Sequence, residues 1–293
     1  MKSAAIVIRD IDRISEMHAV EDLQKEIWGV EDREIFPALA LVPMKEVGAI
    51  LIGAFDKYQM VGFVFGFPGL EKDRLILHSD MLAVKVAYRS SGLGYRLKQA
   101  QRERALAKNI NKITWTFDPL QAVNAHFNFA KLGVVADRYR INFYGETSSL
   151  LHRTGTDRLW VSWLLNSDRV TKRLERNSAD DIDWIKRRRM TALVQVGKNL
   201  EPVIGNNRTL EPRVIIEIPV DINRIVEQTV GLATRWREKT RGAFTEAMDA
   251  GYVVEDFRFA ERNGLKVGVY LLQLRSRSVT STPERANQVG KPF

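Results

Sequence analysis

The sequence predicts a mixed α/β protein: a central mixed sheet flanked by helices, followed by a smaller C-terminal α/β unit. Three observations carry this expectation. Apolar strand-like runs alternate with helical stretches through the first half of the chain. Residues 78–101, HSDMLAVKVAYRSSGLGYRLKQAQ, read as strand, glycine-bearing turn and helix in succession. After about residue 190 a second β-α-β-β order begins. The boundaries expected are 1–168 for the first domain and 169–293 for the second, the latter ending in a polar tail from about 276. A chain of 293 residues, 45% of them hydrophobic, can bury cores for both.

Taken in order, Ala4–Ile8 is expected as the first strand, because one lysine, a short apolar run and then charges do not make a signal peptide. Helical periodicity covers 12–28. Between 29 and 47, Pro37 and Pro43 limit the chain to short helical turns lying across the sheet. Ala49–Phe55 and Val61–Phe67 are strands joined by the polar turn Asp56-Lys57-Tyr58-Gln59. A strand at 75–84, a helix at 92–109, a strand at 113–117, a helix at 121–132 and strands at 134–144 and 158–165 complete the first domain. The charged segment 166–189 reads as a linker or bridging helix. Met190–Val196, a loop with Gly205-Asn206-Asn207, and the β-branched run Val214-Ile215-Ile216-Glu217-Ile218 follow. One amphipathic helix is expected over 222–249, ended by Gly251, and then a hairpin of Tyr252–Phe259 and Val267–Leu274 around Arg262-Asn263-Gly264. The stretch 276–293, with Pro283 and Pro292, is expected to be a mobile tail.

Composition excludes several chemistries. Zero cysteines rule out disulfides, a thiolate nucleophile and a cysteine zinc site, and make the cytoplasm the default compartment. Four scattered histidines argue against a metal cluster, so no metal is expected. No apolar run approaches a membrane span. The net charge of +9 is uneven, with 20 basic and 18 acidic side chains in residues 1–150 against 25 and 18 in residues 151–293. Lys186-Arg187-Arg188-Arg189 is the densest basic run, and with no nucleic-acid motif beside it the reading is a solvated helix end. No nucleic-acid or membrane partner is expected.

The turn Arg89-Ser90-Ser91-Gly92-Leu93-Gly94 carries the chemistry. The first amides of a helix lack intrahelical partners and sit at the positive end of the helix dipole, which suits a pyrophosphate. Gly92 and Gly94, without Cβ atoms, let the backbone close on an anion. There is no Gly-Lys-Ser/Thr ending, and the third glycine of a dinucleotide fingerprint would fall on Leu97.

The six residues match the Arg/Gln-x-x-Gly-x-Gly/Ala pattern, and residues 4–165 resemble the GNAT family of acyl-CoA N-acyltransferases. Further marks of the resemblance are the preceding strand, the run Ile113-Thr114-Trp115-Thr116-Phe117, a helix bearing Asn124, and the ending Lys131-Leu132-Gly133-Val134. The chain is also similar to a subgroup of GNAT acetyltransferases with a Thr-Trp-Thr-Phe-Asp-Pro-Leu run and an Asn-Ala-x-Phe-Asn helix. The resemblance implies a GNAT-like mixed sheet and acetyl-CoA or another acyl-CoA, succinyl included, as co-substrate. It implies a small-molecule amine or amino acid as acceptor, with a homodimer left open.

Carried over residue by residue, the resemblance implies that backbone groups of Leu82 and Val84 hold the pantetheine arm. The amides within Arg89, Ser90, Ser91, Gly92, Leu93, Gly94 and Tyr95 hold the pyrophosphate, and Asn124 contacts pantetheine. A carboxylate four residues before the strand's last valine makes Asp80 the candidate base. Strand periodicity puts His78, Asp80 and Leu82 on one face, so His78 could orient that base, or the pair could only fix the strand. Where the family carries a proton-donating tyrosine this chain has Phe129. Asn128, four residues after Asn124, could instead hydrogen-bond the departing thiolate, and Tyr139 and Tyr144 are looser candidates. Without that tyrosine, a non-catalytic acyl-CoA sensor is the second reading. Trp115, Phe117, Trp160 and Trp163 read as packing residues, and Asp118 as a cap for the next helix or a residue of the cleft.

Overall fold

The computed structural model describes residues 6–145, 154–175, 190–205, 211–262 and 264–275. The expected tail, the basic run at 186–189 and the loop positions Asn206 and Asn207 lie outside the described residues.

The strands form one sheet. They are β1 (Val7–Asp10), β2 (Ile50–Asp56), β3 (Gln59–Glu71), β4 (Arg74–Val84), β5 (Lys112–Phe117), β6 (Val135–Arg140), β7 (Arg158–Leu164), β8 (Thr191–Val196), β9 (Pro202–Ile204), β10 (Arg213–Pro219), β11 (Tyr252–Arg262) and β12 (Leu265–Leu274). Their order is β1-β2-β3-β4-β5-β7-β6-β11-β12-β10-β8-β9. Among the described strands only β4–β5 and β8–β10 are parallel, which makes the sheet mixed. The C-terminal strands continue the N-terminal sheet through the pair of Ala136 with Val254.

Helices cover both faces at the N-terminal end. On one face α1 (Ile14–Trp28) and α2 (Ala38–Glu46) bury Met17, Val20, Leu23 and Leu41 against Phe63, Phe65, Met81 and Ala83. On the other, α3 (Leu93–Ala107) buries Leu93 and Leu97 against Ile52, Val64 and Leu77. The latter core runs on without interruption to Trp236, Phe244 and Tyr270. α4 (Ala122–Ala125) and α5 (Asp168–Glu175) border it.

Four of the departures from expectation have a local reason. The β3–β4 hairpin is longer, because Lys72 and Asp73 (φ 48° and 59°) make a tight two-residue turn whose twist suits paired strands. The helix expected over 121–132 is α-helical only in α4 and continues as a π-helix over His126–Leu132. The strand expected to 144 stops at Arg140, where Asp157 and Thr156 accept or donate the turn's hydrogen bonds to Asn142 and Tyr144. The helix over 222–249 is two, α6 (Ile222–Gln228) and α7 (Val230–Asp249), parted at Thr229 (φ −154°, ψ 89°), where β-branched Thr229 and Val230 and then Gly231 weaken the helix.

The two halves are joined by buried charge. Arg237 of α7, 2% exposed, forks onto Asp118 with both bonds at 2.7 Å. Burial alone would favour a neutral Arg237, but the Asp118 charge and hydrogen bonds raise its pKa and hold it cationic. Arg241 forks onto fully buried Asp157 at 2.8 and 3.0 Å, and Tyr139 donates to the same carboxylate at 2.8 Å. Tyr270 of β12 donates to the Pro119 carbonyl (2.7 Å). A buried pair costs most when one partner is removed. Arg237→Ala is therefore expected to lower the unfolding free energy by about 3–5 kcal/mol, measured by urea denaturation. A loss under about 1 kcal/mol, the range of an exposed pair, would show that this contact does not hold the halves together.

Candidate active site

The site begins with a fault in β4. Ser79 and Asp80 stand together opposite the single residue Gly66, a bulge in the β3–β4 ladder. Gly66 permits it, since a Cβ there would meet the His78 carbonyl at 2.8 Å and the Ser79 Cα at 3.1 Å. On its other side β4 pairs with β5 only at Leu77–Ile113 and His78–Thr114. Beyond those pairs the two strands part, and a fork opens between them.

The ladder phase decides what lines the fork. Lys85 N–H donates to the Val61 carbonyl (2.9 Å), so in this antiparallel register Met81 and Ala83 turn their backbone groups to β3. Leu82 and Val84 turn theirs away, into the fork. The Val84 carbonyl already accepts from Arg89 Nε at 3.1 Å.

The chain then closes a turn before α3. Ser90 (φ 63°) and Gly92 (φ 79°) both adopt left-handed backbone, and Ser91 Oγ donates to the Tyr88 carbonyl at 2.7 Å. Gly92 caps α3 without a side-chain bond. Among the described residues, the amides from Ser90 to Tyr95 donate to no carbonyl or side chain, and Arg96 is the first to bond back, to Gly92 (3.0 Å). These free donors and the helix dipole make an anion cradle beside the open edge of β4. A Cβ on Gly94 would lie 3.9 Å from Leu82 Cδ2 and 4.0 Å from Val84 Cγ2, ordinary contacts that place Gly94 beside the fork-lining side chains.

The bulge also separates residues that plain alternation puts on one face. Leu82 packs toward the α3 core, whereas His78 lies against Phe67 (5.5 Å between ring centres) on the side of α1 and α2. His78 Nδ1 is 3.1 Å from Thr114 Oγ1, its ring is 5.0 Å from that of Trp160, and no bond joins it to Asp80. Burial, and secondarily the charge of Lys98, lowers its pKa. Asp80 keeps solvent-exposed surface and has no hydrogen-bond or ionic partner among the described residues. Enough protein surrounds it for desolvation to raise its pKa.

Among solved structures the chain is similar to ribosomal-protein-S18-alanine N-acetyltransferase from Escherichia coli, with 12% identity, 56% of this chain and 96% of that chain covered, and a TM-score of 0.45. It is similar to an acetyltransferase of the GNAT family from Streptococcus pneumoniae, with 17% identity, coverage of 54% and 98%, and a TM-score of 0.44. A third is an aminoglycoside 6'-N-acetyltransferase complexed with coenzyme A, with 16% identity, coverage of 55% and 98%, and a TM-score of 0.41. No protein-family model matches the chain, and no curated protein matches it in sequence.

Asn124 is exposed on α4, but Asn128 is buried and accepts from Trp115 Nε1 at 3.3 Å. Phe129 is fully buried, with Phe117 at 6.2 Å on one side and Tyr270 at 5.9 Å on the other. Tyr139 is bound to Asp157, and burial raises its pKa far above the ordinary range. Tyr144 is exposed, its hydroxyl 3.2 Å from Thr116 Oγ1. Asp118 accepts from the Leu120 amide (2.9 Å) as a turn-closing residue and also takes Arg237. Trp115, Phe117 and Trp163 are buried, and Trp160 is half-buried. Among the described residues no group of three or more potential ligands could hold a metal, and no helix is long and apolar enough to cross a membrane.

Sequence reasoning missed Lys98 and Gln101. Both are buried on the inner arc of α3, where Leu93, Leu97 and Ala100 were the visible signal.

A raised carboxyl weighs against folding where it is ionised. Its penalty is present at neutral pH and vanishes below the ordinary aspartate range, near about pH 4. Asp80→Asn is therefore expected to melt at a higher temperature than the parent at pH 7, with the gap closing by about pH 3. Thermal denaturation across pH measures this, and equal melting temperatures at pH 7 would show that Asp80 is not desolvated.

Proposed function

We propose that the protein is an acyl-CoA-dependent N-acyltransferase, most simply an N-acetyltransferase, acting by direct attack on the primary amine of a small molecule or amino acid. The observation that carries this reading is the convergence of two sets of open backbone groups on one fork: the amides of Ser90 to Tyr95, and the edge groups of Leu82 and Val84. An anionic head and an extended amide-bearing arm joined in one ligand match those two sets.

In this reading Arg89, Ser90, Ser91, Gly92, Leu93, Gly94 and Tyr95 hold the pyrophosphate, Leu82 pairs with the pantetheine amides, and Asn124 borders the arm. Arg89 occupies the Val84 carbonyl, so Val84 offers its N–H alone unless Arg89 swings away. Asp80, beside the end of the ladder, takes the proton from the attacking ammonium, and its raised pKa brings it nearer to the range of a useful base. His78 stays neutral beside Thr114 and shapes the acceptor side. Asn128, whose Oδ1 accepts from Trp115, is the candidate hydrogen-bond donor to the departing thiolate. Phe129 supplies no proton, so the thiolate leaves as an anion and is protonated by water. The same Phe129 favours a second reading, an acyl-CoA sensor that binds without turnover. Incubation of acetyl-CoA or succinyl-CoA with pooled amines decides between them: release of free CoA thiol supports the enzyme, and binding without release supports the sensor.

Two variants probe the assignment. Gly92→Val with Gly94→Val puts side chains where the anion would lie, and is expected to weaken acyl-CoA binding at least about tenfold, or about 1.4 kcal/mol. Calorimetric titration measures it, and unchanged affinity in the folded double variant would remove the cradle from the reading. Asp80→Asn is expected to lower kcat by about 100-fold or more with acyl-CoA affinity unchanged. Parental activity should fall as acid protonates Asp80, at a pH above the ordinary aspartate range. Near-parental turnover in the variant would move the base elsewhere.

A further inference from the structure

Something has to keep β4 and β5 apart. The first β4 residue beyond the last pair is Ser79, and the first of β5 is Trp115. Between them lies the amine of Lys98, from α3, in a side chain only 2% exposed. Its Nζ donates to Ser79 Oγ at 2.9 Å and to Gln101 Oε1 at 2.8 Å. It stands 3.9 Å from the centre of the Trp115 ring and 5.7 Å from that of Trp163. No carboxylate pairs with it among the described residues.

This is an unusual place for a lysine. Buried ammonium groups ordinarily take an acidic partner, because desolvating an unpaired charge is costly. Here the partners are a hydroxyl, an amide oxygen and indole faces, none of them a carboxylate, and burial lowers its pKa well below the ordinary lysine value. The cluster is tightly drawn: Gln101 Nε2, buried and unpartnered among the described residues, lies 2.9 Å from where a Gly66 Cβ would be. The same lysine therefore touches the bulge residue on one strand, a ring on the other, and the neighbour of the glycine that permits the bulge.

We propose that Lys98 is a positioning residue that pins the fork: by tying down Ser79 and lying on Trp115 it ends the β4–β5 ladder after His78 and Thr114, and so fixes where Asp80 stands. Lys98 itself touches no substrate. Its catalytic consequence rests on the acyltransferase reading, whereas its effect on the strands does not.

The experiment compares Lys98→Met, Lys98→Gln and Ser79→Ala by two readouts. In Lys98→Met, of similar length but without a donor, the strands should close, and the amides of Leu82 and Val84 should exchange hydrogen at least about tenfold more slowly than in the parent. Turnover should fall at least about tenfold with acyl-CoA affinity within about threefold, because the base and not the cradle has moved. Lys98→Gln, uncharged yet able to donate to Ser79, should restore both readouts, and Ser79→Ala should reproduce the loss. Parental exchange at Leu82 and Val84 in Lys98→Met would overturn the proposal, as would equal defects in Lys98→Met and Lys98→Gln. If Lys98→Met does not fold, Ser79→Ala takes its place: parental exchange in it, or an equal defect in Lys98→Gln, overturns the proposal in the same way. A parent that binds acyl-CoA but acylates no amine would refute the acyltransferase reading alone, and exchange would still test the pin.

Discussion

Asp118 and Arg237 form the contact through which the two halves of this protein become one. Asp118 sits where β5 ends, at the lip of the fork, and closes the turn into α4 by accepting from Leu120. Arg237 comes from the middle of α7, and both of its terminal nitrogens go to the same carboxylate. A bidentate pair of this kind fixes orientation as well as distance. The turn bordering the candidate cleft is thus held by a residue more than a hundred positions later in the chain, and Tyr270 on the Pro119 carbonyl adds a second tie at the same turn.

That clasp gives a physical account of the departure at Phe129. Here β12 and α7 pack over it, and Tyr270 and Phe117 enclose the ring. A hydroxyl at 129 would be buried in an aromatic cluster and would need a partner there. Phenylalanine satisfies the packing, and the capacity to donate a proton is given up.

The cleft uses few charges. The turn before α3 presents backbone amides and the helix dipole, the edge of β4 beyond His78 is open, and the carboxylate of Asp80 has no partner among the described residues. Beneath it lies a lysine whose amine is held by a hydroxyl and an amide oxygen.

What the sequence by itself determined was local. Short apolar and β-branched runs marked most strands, and Gly92 and Gly94 ahead of Leu97 marked the turn and the helix start, because torsion and local composition are properties of a few neighbouring residues. The absence of a phenol at 129 was legible from one letter. Only the tertiary structure decided the rest. Alternation along β4 placed His78 and Leu82 together, but the bulge opposite Gly66 turned them to opposite faces, since a bulge depends on what the neighbouring strand presents. The contacts of Lys98 with Ser79 of β4 and Trp115 of β5 exist only once the two strands are side by side. Arg237 and Asp118 are 119 positions apart, and nothing in the chemistry of either residue names the other as its partner; only the folding of β12 and α7 onto the end of β5 brings them together.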